Sequence, residues 1–358
     1  MEEQKDMNGM LEMMTQPAFL VKSGVITAVN QAARQLLIEA DTSVEPLLGQ
    51  HMQDYSDFTN GCLCLTLTVS GCLQQASVTR MSDFDVFVID QMAGQAQLQA
   101  MSLTAMTLRE PLSDIMAITD QLFGDSPQDQ NPQAQARLCH MNRRLSQLHR
   151  IVCNMTDAIS YAGSTPPRMV CQDICAVVEE IFEHAGTLIT ESGFRFSYSG
   201  PQQSVFCMVS ADRLERAIYN MLSNSMKNAA PGSLIEATLT HRGNRMYLSV
   251  QDDGSGIPVH LRSSVCTRYL RQPGIEGPSS GLGLGMVLVR GAAAAHGGTV
   301  LIDQPNEKGV RITMSLAIRP CQSTTIRSNT LRVDYAGERD HGLLELSDVL
   351  PPEFYAKN

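Results

Sequence analysis

The strongest constraint on the fold of this chain is a pair of heptad patterns in its middle. Mostly apolar side chains recur at alternating steps of four and three, first over residues 101–122 and again over residues 138–159. This spacing gives each helix one apolar stripe, and the polar break between the runs predicts an antiparallel hairpin. Because one hairpin leaves part of both stripes uncovered, we expect two copies to form a dimeric four-helix bundle. The positions are Met101, Ala105, Leu108, Leu112, Ile115, Thr119 and Leu122, then Leu138, Met141, Leu145, Leu148, Val152, Met155 and Ile159.

The heptad region, residues 93–163, separates two blocks that mix helices and strands, so we expect a multidomain α+β protein. In the first block, residues 1–92, strand-like runs flank a turn at residues 22–24, a helix is expected after Asn30, and a last strand ends near Asp90. These patterns predict a small antiparallel sheet with a helix beside it. The second block covers residues 164–320. For residues 321–358 we predict neither a structure nor a role.

Composition narrows the classes of protein that fit. The formal net charge is −10 and no basic block stands out, which argues against nucleic acid or anionic membrane as a partner. No apolar run approaches the roughly 18 to 20 residues that span a bilayer, and the acidic, polar start is unlike a secretory signal. With ten cysteines and no such signal, we expect a cytoplasmic location, no membrane insertion and mostly free thiols.

Three stretches of the second block carry side chains suited to nucleotide binding. In the first, Asn220, Asn224 and Lys227 lie at i, i+4 and i+7 and form a polar stripe on a helix whose other side is apolar. Amide oxygens are suitable ligands for Mg²⁺, and a lysine one turn further can meet a phosphate. A solvated helix face would show the same pattern, so this stretch alone does not distinguish the two.

The second stretch is an acidic turn after a strand-like run. Asp252 ends the run, and Gly254 and Gly256 allow a tight backbone behind it. A carboxylate held in this way can accept a hydrogen bond from the exocyclic amine of adenine, whereas guanine presents a carbonyl there. An ordinary Asp-Asp-Gly turn is the alternative.

The third stretch is glycine-rich and precedes a helix. Gly281, Gly283 and Gly285 free backbone N–H groups to bind phosphate oxygens near the start of that helix. A P-loop is excluded because no lysine follows these glycines. The dinucleotide fingerprint is also excluded, since it needs GxGxxG directly after a strand, and these glycines form GxGxG after a loop.

In this order and spacing, the three stretches resemble the ATP-binding domain of histidine kinases and their gyrase, Hsp90 and MutL relatives, over about residues 210–320. The resemblance implies a two-layer α/β sandwich with ATP and Mg²⁺ as ligands. Hydrolytic members place a glutamate one turn before the second asparagine, where this chain has Asn220, so hydrolysis is not expected as the main activity. By position, the resemblance assigns Mg²⁺ to Asn220 and Asn224, phosphate to Lys227, adenine to Asp252, and the nucleotide loops to Gly254, Gly256, Gly281, Gly283 and Gly285.

The heptad hairpin is similar to the dimerisation and phosphotransfer domain of sensor kinases, with one decisive difference. Arg109, Pro111 and Leu112 match that domain, but Met106 stands in place of the acceptor histidine, and Thr107 in place of the acidic residue that assists transfer. Because a thioether cannot carry a phosphoryl group, we do not expect autophosphorylation at this position. The first block looks like a PAS sensor domain in its pattern of strands.

Other side chains leave alternatives open. His140 and His149 lie on the second heptad helix and could replace the missing acceptor, although exposed helix histidines without such a role are far commoner. His296 fits the structural histidine of the family. In the lid over the nucleotide, Cys266 and Tyr269 take the places of two phenylalanines, which implies weaker lid packing.

The cysteines allow a choice between chemistry and packing. Cys62, Cys64 and Cys72 lie on predicted neighbouring strands and could hold a metal ion or sense redox state. The simpler interpretation is that they are small apolar core residues. Cys171 and Cys175, expected one turn apart on a helix, have the same two interpretations.

Three functions are compatible with these observations. The leading hypothesis is a homodimeric, ATP-binding, histidine-kinase-like protein of two-component signalling that does not phosphorylate itself and acts with a response regulator or partner kinase. The second is an active kinase that phosphorylates a histidine in trans or at a non-standard site. The third is a non-catalytic scaffold, which the intact nucleotide stretches disfavour.

Overall fold

The computed structural model describes residues 9, 11–90, 105, 107–108, 112–119, 132–162, 167–256, 284–305, 308–321 and 340–356. The named strands are β1 Ala18–Lys22, β2 Val25–Val29, β3 Cys62–Val69, β4 Cys72–Arg80, β5 Asp85–Ile89, β6 Val170–Asp173, β7 Arg195–Ser199, β8 Phe206–Val209, β9 Leu234–Arg242, β10 Arg245–Asp252, β11 Val300–Asp303 and β12 Arg311–Ala317. The named α-helices are α1 Gln31–Gln35, α2 Glu45–Leu48, α3 Met52–Asp57, α4 Pro132–Ala162, α5 Ile174–Glu191, α6 Ala211–Asn228, α7 Gly285–Ala295 and α8 His341–Glu345, with short 3-10 helices at Gly49–His51 and Pro352–Tyr355. Residues 112–119 are also helical.

Ten of the strands form one sheet that runs through both blocks. Its order is β2-β1-β5-β4-β3-β11-β12-β10-β9-β7, and β6 pairs with β8 separately. Only β7 and β9 pair in parallel among these neighbours. The sheet of the first block is therefore continuous with the sheet of the second block.

The first block folds as its local patterns predict. Strands β1 and β2 form a hairpin that turns at residues 23–24, and β5 is the last strand of the first block. Asn30 caps α1, because its side-chain oxygen accepts a hydrogen bond from the Ala33 N–H at 2.9 Å. The same oxygen accepts from the Ala18 N–H at 3.0 Å, which ties the helix to β1. The predicted antiparallel sheet with a helix beside it is confirmed.

Apolar residues at positions 63, 65, 67 and 69 alternate with cysteine and threonine, a period that predicts a half-buried strand. The strand found there, β3, differs because its beginning is buried on both faces. Leu63 and Leu65 face the core of the first block. Cys62 and Cys64 point the other way and belong to the core of the second block. The reason is the pairing of β3 with β11, where Cys64 lies opposite Val300. Alternation along one strand cannot show that a distant domain will cover its second face.

The second block contains a sheet with helices packed on it. Along β10, alternate side chains are buried, and Met246, Leu248 and Val250 contact the same core as Ile218 of α6 and Val289 of α7. This alternation means that the helices cover one face of the strand. Helix α5 contributes nine buried residues to the helical layer. The layered α/β arrangement predicted for this block is therefore observed in its described part.

Two buried charged groups join the blocks besides the strand pairing. Asp54 of α3 accepts hydrogen bonds from Thr299 at 3.1 Å and Ser315 at 3.3 Å, and it pairs with Arg245 at 3.1 Å. Asp90, just after β5, pairs with Arg290 of α7. Burial raises the pKa of Asp90 to about 6, although Arg290 acts in the opposite direction.

The prediction that Cys171 and Cys175 share a helix is wrong. Cys171 lies in β6 and forms a disulfide with Cys321, with the Cα atoms 5.5 Å apart. The pairing arises because Cys171 lies opposite Met208 of β8, whose N–H donates to the Arg319 carbonyl at 3.0 Å. The chain end after β12 is thereby brought to β6. This disulfide, which the sequence does not predict, involves two of the nine described cysteines.

The three cysteines of the first block do not form a metal site. Cys62 and Cys64 are buried, whereas Cys72 is exposed. In the register of β3 and β4, Cys72 lies opposite Val69, at the far end of the hairpin from Cys62. Among the residues that the structure describes, no group of three or more His, Cys, Asp or Glu side chains could hold a metal ion.

None of the described helices combines the length and the apolar character that crossing a bilayer requires. The longest, α4, covers 31 residues but is polar on average.

The pairing of β3 with β11 generates a test with a matched control. Gly61 and Gly71 both have positive φ, at 93° and 79°, so alanine should cost about 1–2 kcal/mol of backbone strain at either position. A Cβ at Gly61 would also lie 2.3 Å from the Ile302 carbonyl oxygen of β11, whereas nothing lies within 4 Å at Gly71. We expect Gly61→Ala, and not Gly71→Ala, to accelerate amide hydrogen exchange in β11. Equal exchange in both variants would contradict the pairing.

Candidate nucleotide-binding site

Helix α6 carries the predicted polar stripe, and that stripe is not a solvated face. Asn220 is only 2% exposed, and Asn224 and Lys227 are half-buried. The opposite side of the helix is packed into the main core, and Asp212 in the first turn with Lys227 in the last complements the helix dipole. The buried apolar residues on that side are Leu214, Ala217, Ile218, Met221 and Leu222.

The amide of Asn220 already has partners on both of its atoms. Its oxygen accepts a hydrogen bond from Nη2 of Arg150 at 3.2 Å, and its nitrogen donates to the Arg216 carbonyl at 2.7 Å. Arg150 belongs to α4, the second heptad helix. The predicted Mg²⁺ ligand is therefore held by a cationic side chain from another helix.

Asp252 ends β10 in a buried position beside the C-terminal end of α6. It is 4% exposed, and its Oδ1 accepts hydrogen bonds from the Gly254 N–H at 3.0 Å and the Val310 N–H at 3.3 Å. Burial raises the pKa of Asp252, while these hydrogen bonds and one from Ser225 of α6 act in the opposite direction. The structure thus brings together Asp252 and the last turns of α6.

At two of the predicted glycines, the backbone lies so close to α6 that a side chain would not fit. A Cβ at Gly254 would be 2.3 Å from the Asn228 carbonyl oxygen at the end of α6. A Cβ at Gly285 would be 2.8 Å from Oδ1 of Asn220. Gly256 has φ +79 and follows in the same turn. The acidic turn and the start of α7 therefore both contact the polar side of α6.

A cluster of charges next to the stripe was not predicted. Lys227 pairs with Asp348 at 2.8 Å, and Arg150 pairs with Asp348 at 2.8 Å and Glu345 at 3.3 Å. Arg216 also pairs with Glu345. The acidic residues belong to the tail for which we predicted no structure. The available signal is the spacing of Glu345 and Asp348, three residues apart in a run that is otherwise apolar except for Ser347.

The histidines separate into different classes. His149 is buried, and His140 is exposed. His296 accepts from the Ser210 N–H through Nε2 at 3.1 Å, while its Nδ1 lies 2.7 Å from the Ala292 carbonyl. Burial lowers the pKa of His296. The contacts fit the structural role that the resemblance implies, in which Nδ1–H donates to the carbonyl.

Several predicted residues lie outside the described residues. On the heptad hairpin these are Met101, Met106, Arg109, Pro111 and Leu122, while Leu112 is described as buried. In the nucleotide loops and lid they are Gly281, Gly283, Cys266 and Tyr269.

The environment of Asp252 generates a prediction about pH. Because burial raises the pKa of Asp252, the native state favours the protonated carboxyl group. Ionisation of this group therefore lowers the free energy of unfolding as pH rises above the ordinary aspartate pKa of about 4. Asp252→Asn removes the ionisation and still offers an oxygen to the Gly254 N–H. In urea denaturation without nucleotide, the variant should gain stability over wild type between pH 4 and pH 7 and not at pH 3.

The neighbouring residue provides the control with the opposite sign. A hydrogen bond from the Ser233 hydroxyl, together with one from the Leu234 N–H, lowers the pKa of exposed Asp253. Its carboxylate therefore stabilises the fold above the ordinary value, and this contribution is lost as pH falls. Asp253→Asn should lose stability relative to wild type as pH rises to 7. The same sign in both variants would contradict the environments described for the two residues.

Comparison with known proteins supports the interpretation of the second block. Residues 209–320 match the family of histidine kinase-, DNA gyrase B-, and HSP90-like ATPases. Hybrid signal transduction histidine kinase D of Dictyostelium discoideum is 28% identical over 234 residues, which are 63% of this chain and 15% of that protein. The swarming motility regulation sensor protein RssA of Serratia marcescens is 26% identical over 304 residues, 84% of this chain and 62% of RssA.

A solved structure shares the fold. Full-length ShkA in complex with AMPPNP aligns with a TM-score of 0.51 and 16% identity, over 62% of this chain and 46% of ShkA. The chain spans less than two thirds of the length of each of these relatives. From the family match and the two curated relatives, residues 209–320 form a domain of the histidine kinase-, DNA gyrase B-, and HSP90-like ATPase family, and the chain is a homologue of sensor histidine kinases.

Proposed function

We propose that this chain is a signalling protein of the two-component type that binds Mg-ATP and does not phosphorylate itself at Met106. The observation that carries the ATP assignment is the buried carboxylate of Asp252, held by the Gly254 N–H beside the end of α6. A buried carboxylate in a fixed position selects a ligand that donates a hydrogen bond to it, as adenine does through its amine. The complex of ShkA with AMPPNP, an ATP analogue, supports the same class of ligand.

The residues of the stripe fit a magnesium–phosphate group. Asn220 and Asn224 offer amide oxygens, which are suitable ligands for Mg²⁺, and Lys227 offers an ammonium group for a phosphate. Gly285, together with Gly281 and Gly283, would supply backbone N–H groups around the phosphates. When bound, Mg²⁺ would neutralise phosphate charge, and the protein would position the nucleotide against α6.

The domain boundaries form part of the proposal. Residues 1–92 would be a PAS-like sensor domain, supported by the antiparallel sheet and the helices packed on it. Residues 93–163 would be the helical dimerisation hairpin, and residues 164–320 the ATP-binding domain. Residues 321–358 form the tail. A response regulator or a partner kinase would be the protein that this chain acts upon.

Homodimerisation is supported by the exposure of the heptad stripe. Leu148 on α4 and Ile115 on the first helix are each 51% exposed, whereas Leu112 and Val152 of the same stripes are buried. Large apolar side chains along one stripe favour burial against a second copy. A four-helix bundle made by two hairpins would cover them.

The chemistry of residue 106 decides against self-phosphorylation there. A methionine sulfur in a thioether has no proton to release and forms no stable phosphoryl bond. The γ-phosphoryl group of ATP therefore has no acceptor at position 106. His149 is 2% exposed, which disfavours it as a substitute. His140 is exposed, so phosphorylation at a non-standard site is the second candidate function. A pure scaffold is the third.

Nucleotide binding can be tested by titration calorimetry. Wild type should bind Mg-ATP, and Asp252→Asn should weaken binding by about 10- to 100-fold, because an acceptor for the adenine amine is lost. Asp253→Asn makes the same charge change at the exposed neighbour and should leave affinity unchanged. Absence of any binding heat for wild type, or equal affinity in all three proteins, would refute the ATP assignment.

Phosphotransfer is tested with radiolabelled ATP. The wild-type chain alone should acquire no acid-labile label, and Met106→His should acquire it if the remaining apparatus positions the γ-phosphate correctly. Acid-labile label on wild type would contradict the role given to Met106. In that case, loss of the label in His140→Gln would identify His140 as the acceptor and favour the second candidate function.

A further inference from the structure

We propose that the C-terminal segment, residues 340–356, is an intramolecular competitor of the nucleotide, in which Asp348 occupies the position of a phosphate on Lys227 and Arg150. Docking of this segment and binding of Mg-ATP would then exclude each other. The inference rests on the proposed function, because it requires Lys227 and Asn220 to be groups that bind the nucleotide. It assigns a regulatory role to the tail that the sequence patterns left without one.

The first observation is the geometry of one carboxylate oxygen. Oδ2 of Asp348 lies 2.8 Å from Nζ of Lys227 and 2.8 Å from Nη1 of Arg150. Although burial opposes ionisation, Arg150 and Lys227 hold the pKa of Asp348 below its ordinary value. An anionic oxygen between an ammonium and a guanidinium reproduces the contacts of a phosphate oxygen. A phosphate and Asp348 cannot occupy this position together.

The second observation concerns the proposed Mg²⁺ ligand. Arg150 donates to the Asn220 oxygen at 3.2 Å, and Glu345 of the same C-terminal segment holds the guanidinium at 3.3 Å. A fixed guanidinium on this oxygen competes directly with Mg²⁺ for it and also repels the divalent ion. When docked, the segment therefore engages two of the three residues of the stripe. It holds Asn220 through Arg150 and pairs with Lys227 through Asp348.

The third observation is that apolar contacts and hydrogen bonds from α4 also anchor the segment. Leu346, Leu350 and Tyr355 are buried in the main core. The Asn142 amide of α4 donates to the Tyr355 carbonyl at 3.2 Å, and Arg143 donates to the Ser347 carbonyl at 3.1 Å. These anchors position Asp348 at Lys227, where its carboxylate forms a hydrogen-bonded ion pair with the proposed phosphate-binding group.

A second polar link anchors the beginning of the segment. Asp340, which caps α8, pairs with His184 of α5 at 3.0 Å. The other ring nitrogen of His184 lies 3.1 Å from the hydroxyl of Tyr219 on α6. The segment thus contacts α4, α5 and α6.

A C-terminal segment with a purely structural role would make the same contacts. Ligands with and without phosphates distinguish this role from competition with the nucleotide. Asp348→Asn retains the shape of the side chain and removes its negative charge. If Asp348 competes with phosphate, the variant should bind Mg-ATP about tenfold more tightly, because the binding-competent state becomes more populated. Its affinity for adenosine should stay within about twofold of wild type, since adenosine carries no phosphate.

The matched control is Glu353→Gln. Glu353 lies in the same segment and is exposed, so the variant makes the same charge change away from Lys227. It should bind both ligands as wild type does. Thermal melting of each variant, followed by circular dichroism, establishes that the proteins compared are folded.

The outcomes separate the two levels of the proposal. Equal Mg-ATP affinity in wild type and Asp348→Asn, or an equal gain for adenosine, would refute competition while leaving the proposed function intact. No binding of either ligand by any variant would refute the proposed function, and this inference with it. As a measurement without substitution, Mg-ATP should raise amide hydrogen exchange at residues 341–350 of wild type, and adenosine should not.

Discussion

The structure depends on a helix that is enclosed on both sides. Helix α6 buries its apolar side against the sheet, and its polar side, including Asn220, is buried against α4 and the C-terminal segment. Buried polar and charged groups must find partners, because an unpaired one costs several kcal/mol, on the order of 3–5 for half of a broken ion pair. The positions of α4 and of residues 340–356 are therefore linked to the polar side of α6. The polar side chains of the candidate site are thus also the residues against which α4 and the C-terminal segment pack.

Helix α7 places the first block in contact with this site. Its first residue, Gly285, approaches Asn220 so closely that no side chain would fit, and Arg290 further along pairs with Asp90 at the end of the first-block sheet. The pairing of β3 with β11 adds a backbone connection between the same blocks. Contacts thus run from the end of the first-block sheet through α7 to the polar side of α6.

The elements that sequence patterns predict well are those fixed by neighbouring residues. The hairpin before Asn30, the cap at Asn30 and the second heptad helix depend on turn residues, one side-chain hydrogen bond and a period of 3.5, all of which lie within a few residues. Cys171 was misplaced on a helix because β6 exists only through its pairing with β8, about 36 residues away. The second buried face of β3 was missed for the same reason, since its partner β11 follows more than 200 residues later.

By itself, the sequence determined which functional groups are present and in what order: an acidic turn, a polar helical stripe, a glycine-rich approach to a helix, and a thioether where a nucleophile would be needed. Those properties belong to side chains and short spacings, so no tertiary information is required to recognise them. Only the tertiary structure decided which partners those groups have. Asp348 reaches Lys227 across 121 positions of the chain, and Arg150 reaches Asn220 across 70. Such pairs form because buried charges must be compensated by whatever the fold brings near them, and local periodicity carries no record of that proximity.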